Sequence, residues 1–318
     1  MYILELSIAF RPLAERFRLG RAAHGAIKWL SRNREQFVVG ADKDSHADHE
    51  AALPWRIKPL GELVFMLIML HRKGISSREL RALTTFALDE CEKFDWQMLA
   101  SFDPSAASPV ATVIDFFRLN GRTPPIDIDY IGRLNSLNYF SGMDRIPYRY
   151  MDVLYSYSRI GWEDHHNELA TSFALTPFGK RQIISRYSID DIYSLTHSLF
   201  YLSDIGNRPL STLLDLKEVE RIRKTLYRLI AIMIRSDNCD VLGELLLCAR
   251  LCGFKPQGIE RAIYRVGTRR MLHAQARHGS IASTEGVRLR DVDGKADFRE
   301  LYHTTLVGAL MLSLRWDV

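Results

Sequence analysis

Cysteine is scarce in this chain: four thiols in 318 residues, Cys91, Cys239, Cys248 and Cys252, with no Cys-x-x-Cys pair. That excludes a disulfide framework and zinc sites built on paired cysteines. Cys248 and Cys252 lie four apart in an apolar run, where thiols ordinarily serve as small hydrophobes; a zinc pair on one helix face is the alternative. Long hydrophobic runs are also missing. The longest, 63–70, is far too short to cross a bilayer. Residues 1–10 lack the basic stretch and small-residue cleavage site of a secretory leader. The expectation is a reduced, cytoplasmic protein.

Familiar catalytic signatures are absent as well. There is no G-x-G-x-x-G, no P-loop, no G-x-S-x-G elbow and no His-Glu-x-x-His. A diphosphate-binding D-D-x-x-D is missing too, since Asp190-Asp191 is followed by Ile-Tyr. Charge of one sign does not dominate: 43 Lys+Arg stand against 38 Asp+Glu, a net +5. Nucleic-acid binding calls for a larger, clustered excess and is not expected. Two basic stretches, 11–34 and 261–290, read as solvated faces. Either could alternatively bind an anionic partner, the N-terminal one being the candidate docking surface.

What is present is helical periodicity. Expected helices run from about 22 to 37, then 57–73, 77–99, 110–119, 129–140, 148–160, 178–187, 190–205, 216–235, 240–252, 257–272 and 296–314. Ser77 offers an N-cap hydroxyl, and Gly74, Gly121, Gly206 and Gly253 read as helix stops. Asp293-Gly294, a hairpin-like dipeptide, lies between polar stretches and not between alternating strands. The class is therefore all-α. About a dozen helices, taken as antiparallel pairs, make six hairpins, the number that closes an α/α toroid; an open helical solenoid is the fallback. No Pro-, Gly- or Ser-rich linker divides the chain, so 1–318 reads as one domain, with an N-terminal extension (1–20) and a polar loop (40–54). Residues 1–10 would swap onto a neighbouring subunit or pack on the last helix.

Polar groups inside apolar helices mark the candidate site, because a buried carboxylate needs a partner or a wet cavity. Tyr193, His197, Tyr201 and Asp204 share one face of a continuous helix, a kit suited to acid–base work or metal ligation. Asp240 and Glu244 open a second apolar helix, and Glu62 poses the same problem in a third. Tyr302 and His303 head a fourth. Leu60-Gly-Glu-Leu63 and Leu242-Gly-Glu-Leu245 form a weak internal repeat. The bland alternative throughout is that such groups tie helices together by hydrogen bonds. Two further segments carry metal-type side chains, the polar loop (Asp42, Asp44, His46, Asp48, His49) and His165-His166; both read as solvated loop.

As a set, Thr196-His197 with Phe200-Tyr201, Asp204 and Gly206, Asp240 with Gly243-Glu244-Leu245-Leu246, Tyr302-His303 with Thr305-Leu306-Val307, and 58–63 resemble a family of bacterial domains of unknown function. Its members are frequent in actinomycetes and often encoded near natural-product genes. The likeness covers about 22–314 and implies the fold and the site more than an activity. Gln275-Ala-Arg-His278-Gly279-Ser280 is similar to the Gln-x-x-Asp-Gly-Ser turn of terpenoid-cyclase and prenyltransferase toroids, with His278 in place of Asp and no following Trp.

Two functions follow as expectations. One is a tailoring enzyme of natural-product biosynthesis acting on a peptide or small molecule. In it His197 serves as acid/base or ligand and Asp204 orients it, while Tyr201, Glu244 and His303 complete the catalytic set and Glu62, Tyr193, Asp240 and Tyr302 line the pocket. The other is a non-catalytic binding protein for a peptide, carrier protein or small ligand. A metal is expected only if His197, His303 and a carboxylate converge. The cofactor and the oligomeric state are unassigned.

Overall fold

The computed structural model describes residues 2–39, 53–162 and 165–314. Among them are fourteen α-helices and no strand, only one isolated bridge between Gln275 and Ile281. They are α1 (Tyr2–Arg32), α2 (Leu53–Arg72), α3 (Arg78–Lys93), α4 (Trp96–Phe102), α5 (Ala107–Leu119), α6 (Ile128–Ser136), α7 (Pro147–Ile160), α8 (His166–Leu175), α9 (Ile189–Leu202), α10 (Leu216–Met233), α11 (Cys239–Leu251), α12 (Gly258–Ala274), α13 (Glu285–Val292) and α14 (Phe298–Ser313).

Local chemistry accounts for most boundaries. The Ser77 hydroxyl accepts from the Leu80 amide at the head of α3. Ser188 and Asp191 form a reciprocal capping box on α9. Gly74, Gly121 and Gly253 take the left-handed conformation just past a helix end; Gly206 is left-handed too, but α9 has already ended at Leu202, so it is not the stop. Three further expectations are corrected. The span 77–99 breaks into α3 and α4, because Asp95 caps a new helix start. The span 178–187 is a turn with one 3-10 piece (Ile184–Arg186), since Thr176 ends α8 and its hydroxyl accepts from Gly179. The His165-His166 segment opens α8 instead of lying in a loop.

Helices that are apolar nearly all round occupy the centre. Every residue from Cys239 to Ala249 of α11 is buried, as are Leu301, Tyr302 and 304–312 of α14. Their contacts run in a circuit: α2 on α5, α5 on α7, α7 on α9, α9 on α11, α11 on α14, and α14 back on α2. Amphipathic helices flank them, with α1 on α14 and α3, α8 on α7 and α9, and α10 and α12 on α11.

Contact pairs also give the direction of these helices. Ser108 meets Asp152, and seven residues later Asp115 meets Arg159, so α5 and α7 run parallel. Tyr148 faces His197 and Arg159 reaches Asp204, which aligns α7 with α9. Tyr193 bonds Asp240 and Cys248 bonds the Thr196 carbonyl, aligning α9 with α11. Asp240 bonds Thr304, and Gly243 lies against Val307, aligning α11 with α14.

The turn 275–281 fastens α1 to this assembly. Gln275 Nε2 donates to the carbonyls of Ala22 and Gly279. Gly279 has φ +113°, and a Cβ there would stand 2.1 Å from the Gly25 carbonyl oxygen. His278 reaches Asp291 Oδ1 at 3.1 Å. Gly279→Ala therefore combines a disallowed backbone conformation with a backbone clash, and is expected to cost at least about 2 kcal/mol. Gly294→Ala, also at positive φ but with nothing within 4 Å, is expected to cost about 1–2 kcal/mol. Denaturant titration of the two variants checks the ranking; equal losses would remove the packing argument.

Candidate functional site

The structure gathers Glu62 (α2), Asp240 and Glu244 (α11) and His303 (α14) into one cluster, with Tyr193 and His197 (α9) beside it. His303 Nδ1 lies 2.9 Å from Glu62 Oε2. Its Nε2 lies 3.6 Å from Asp240 Oδ2 and 3.7 Å from Glu244 Oε1. Hydroxyls hold the acids in place: Tyr193 donates to Asp240 Oδ2 at 2.6 Å, Thr304 to Asp240 Oδ1 at 2.9 Å, and Thr196 to Glu244 Oε2. The two Leu-Gly-Glu-Leu segments thus supply two acids to one imidazole. Gly243 is small because α11 presses on its neighbours: a Cβ would stand 2.9 Å from both Met271 and Val307.

Electrostatics follow from that arrangement. Burial would disfavour the charged form of every member. For His303 the carboxylates of Glu62 and Asp240 overcome it and raise the imidazole well above its ordinary value. Glu62 is held below the usual carboxylate range, because the charge and hydrogen bond of His303, Lys58 at 3.7 Å and the Tyr302 hydroxyl outweigh burial. Glu244, 3 % exposed, is likewise lowered against its burial by His197, His303 and Thr196. Glu62, Glu244 and His303 are thus held in their charged forms, and the cluster is open to solvent at His303 and Glu62, whose side chains are 32 % and 25 % exposed.

His197 stands at the edge. Its Nδ1 is 2.8 Å from the Tyr193 carbonyl and 4.0 Å from Glu244 Oε2. A carbonyl only accepts, so Nδ1 carries the hydrogen and the neutral ring has its lone pair on Nε2. Tyr148, Tyr193 and Phe200 surround the ring.

Asp204 does not orient His197. The helix ends at Leu202, and Asp204 and Ile205 take φ +45° and +51°, which breaks the face that a continuous helix would have given. Asp204 instead accepts from Arg159 and Tyr155, each at 3.0 Å. Arg159 in turn approaches Asp115, whose two oxygens both accept from Arg72 at 2.6 Å. This second network lies at the C-terminal ends of α2, α5, α7 and α9. Tyr201 faces a third group, hydrogen-bonded to Asp152, whose carboxyl is raised by burial despite Ser108 and Arg149.

Sequence reasoning missed Tyr148 and Asp152, which carry polar groups from α7 toward His197. Their i, i+4 spacing on a half-apolar helix was the available signal. Asp240, Glu244 and His303 are the one group among the described residues close enough to hold a metal ion. Burial pushes up the thiols of Cys248 and Cys252, so both are neutral apolar fillers. The polar loop with Asp42, Asp44, His46, Asp48 and His49 lies outside the described residues.

The chain belongs to the family described as a domain of unknown function, DUF6895, which matches residues 23–313 and so takes in every member of the cluster. No curated protein and no solved structure matches the chain. No helix among the described residues is long and apolar enough to cross a membrane.

The raised His303 value has a measurable sign. Its contribution to stability is complete below about pH 6.5, where an unfolded-chain histidine is also protonated, and is lost as pH rises through the raised folded value. Glu62 and Glu244 act oppositely: their contribution is present above about pH 4.3 and lost as pH falls through their depressed values. In chelator-treated protein, wild type is expected to lose melting temperature above pH 6.5, and His303→Gln to show a flatter alkaline limb. An unchanged limb would disprove the charged state of His303.

Proposed function

We propose that this protein is an enzyme that moves a proton on a peptide or small-molecule intermediate, with His197 as the base. The carrying observation is the hydrogen bond between His197 Nδ1 and the Tyr193 carbonyl, which assigns the tautomer. With Nδ1–H committed to the Tyr193 carbonyl, Nε2 is the basic nitrogen, and the side chain is 28 % exposed. The ionised carboxylate of Glu244, 4.0 Å away, favours the imidazolium that forms when the ring takes a proton. Glu62, Asp240 and His303 supply the adjoining charged wall that would hold and orient the substrate.

The circuit of central helices supports an α/α toroid in which this wall lies at the rim formed by helix N-termini. The resemblance of the Thr196-His197, Asp240–Glu244 and Tyr302-His303 segments to domains encoded near natural-product genes supports a tailoring step in bacterial, cytoplasmic biosynthesis. A binding protein for a peptide, carrier protein or small ligand is the second reading. It is favoured by the 4.0 Å separation of His197 from Glu244, which is outside hydrogen-bond reach, and by the mutual pairing of the other cluster members.

Replacing the gene in the native host by His197→Gln and profiling extracted metabolites by mass spectrometry separates the two. The enzyme reading expects the variant strain to reproduce the profile of a deletion strain. It also expects purified variant protein to melt within a few degrees of wild type, since one half-exposed hydrogen bond is worth about 1 kcal/mol. A variant strain indistinguishable from wild type would reject His197 as the base.

A further inference from the structure

We infer that Asp240, Glu244 and His303 form a binding site for one first-row divalent metal ion of the Mn2+, Fe2+ or Zn2+ class, with Glu62 holding the histidine in place for it.

The three ligand atoms lie within 4.8 Å of one another. Nε2 of His303 stands 3.6 and 3.7 Å from Asp240 Oδ2 and Glu244 Oε1. These separations are long for hydrogen bonds. They are close to the roughly 3.4 Å between neighbouring donors around a tetrahedral ion with bonds of about 2.1 Å.

The supporting atoms match what a metal centre needs. A metal-bound imidazole donates its other N–H to a carboxylate or carbonyl, which fixes the ring and presents the free nitrogen to the ion. Here Glu62 Oε2 accepts from Nδ1. Thr196 occupies Glu244 Oε2, while Oε1, on a side chain 97 % buried in terms of exposed area, is met among the described residues only by His303 at 3.7 Å. Tyr193 and Thr304 fix Asp240. Three carboxylates converge on His303 beside the half-exposed Lys58, so a divalent ion that displaces the Nε2 proton of His303 to solvent is accommodated without a new partner.

Imidazole with carboxylates, and no thiolate, suits Mn2+, Fe2+ or Zn2+ more than Mg2+ or Cu+. The partial exposure of His303 leaves room for water or a substrate oxygen as a further ligand. What the ion would do there, polarising a substrate beside the His197 base, rests on the proposed function; its binding does not.

Whole protein stripped with a chelator and then titrated with Mn2+ or Zn2+ alone, by calorimetry and by metal analysis after desalting, is the test. About one equivalent is expected, unaffected by millimolar Mg2+. His303→Gln and Glu62→Gln, both at partly exposed positions, should weaken binding at least 10-fold and retain wild-type circular dichroism. Glu244→Gln should do the same if it folds, and His278→Gln, at an exposed imidazole outside the cluster, should bind as wild type. Fewer than about 0.2 equivalents in wild type, or equal affinity in folded His303→Gln, would overturn the inference. Neither result touches the metabolite test of His197, so the two readings fail separately.

Discussion

One imidazole held among three carboxylates is the constraint around which the centre of this protein is arranged. Neither partner is tolerable alone. Three ionised acids on apolar helices would repel one another at high cost, and a buried imidazolium would be equally unfavourable. Together they are stable only if α2, α11 and α14 approach closely, which explains the small residue Gly243 and the aromatic packing behind the site. Trp29 of α1 stacks on Phe298, which stacks on Tyr302, whose hydroxyl reaches Glu62. An outer helix thus supports the side chain that holds the histidine.

Helix direction sorts charge between the two ends of the central bundle. Where neighbouring helices run parallel, their N-termini share one end and their partial positive charges add to it. Acids gather there: Asp240 is the second residue of α11, and Glu244 follows one turn later. At the opposite end the carbonyl termini are negative, and Arg72 and Arg159 sit in the last turns of α2 and α7. The Arg72–Asp115–Arg159–Asp204 network balances its own charge. The cluster at the N-terminal end carries excess carboxylate, and this asymmetry distinguishes the two ends.

Much of this was legible in the sequence because the signals were physical necessities. A carboxylate in an apolar helix demands a partner, and that rule pointed to Glu62, Asp240, Glu244 and His303, which the fold brings together. Left-handed glycines marked helix ends for the same reason. Asp204 was misplaced because a face computed at a constant 100° per residue extends past the true end of a helix, and nothing before Ser203 announces the stop. α8 and α13 are short, so their periodicity was too brief to read and neither was expected. Tyr148 and Asp152 were invisible because α7 carries polar groups on several sides, and only its neighbours decide which of them face inward.

The contact between α1 and α14 joins segments about 280 residues apart. Glu62 and His303, 241 positions apart, depend on the same closure. During synthesis the helices between them can pair with neighbours as they emerge, but the acids on α2 and α11 have no imidazole until α14 leaves the ribosome. The seam between α2, α11 and α14 therefore stays open until α14 has been made, so closing the ring of helices and assembling the cluster are one event.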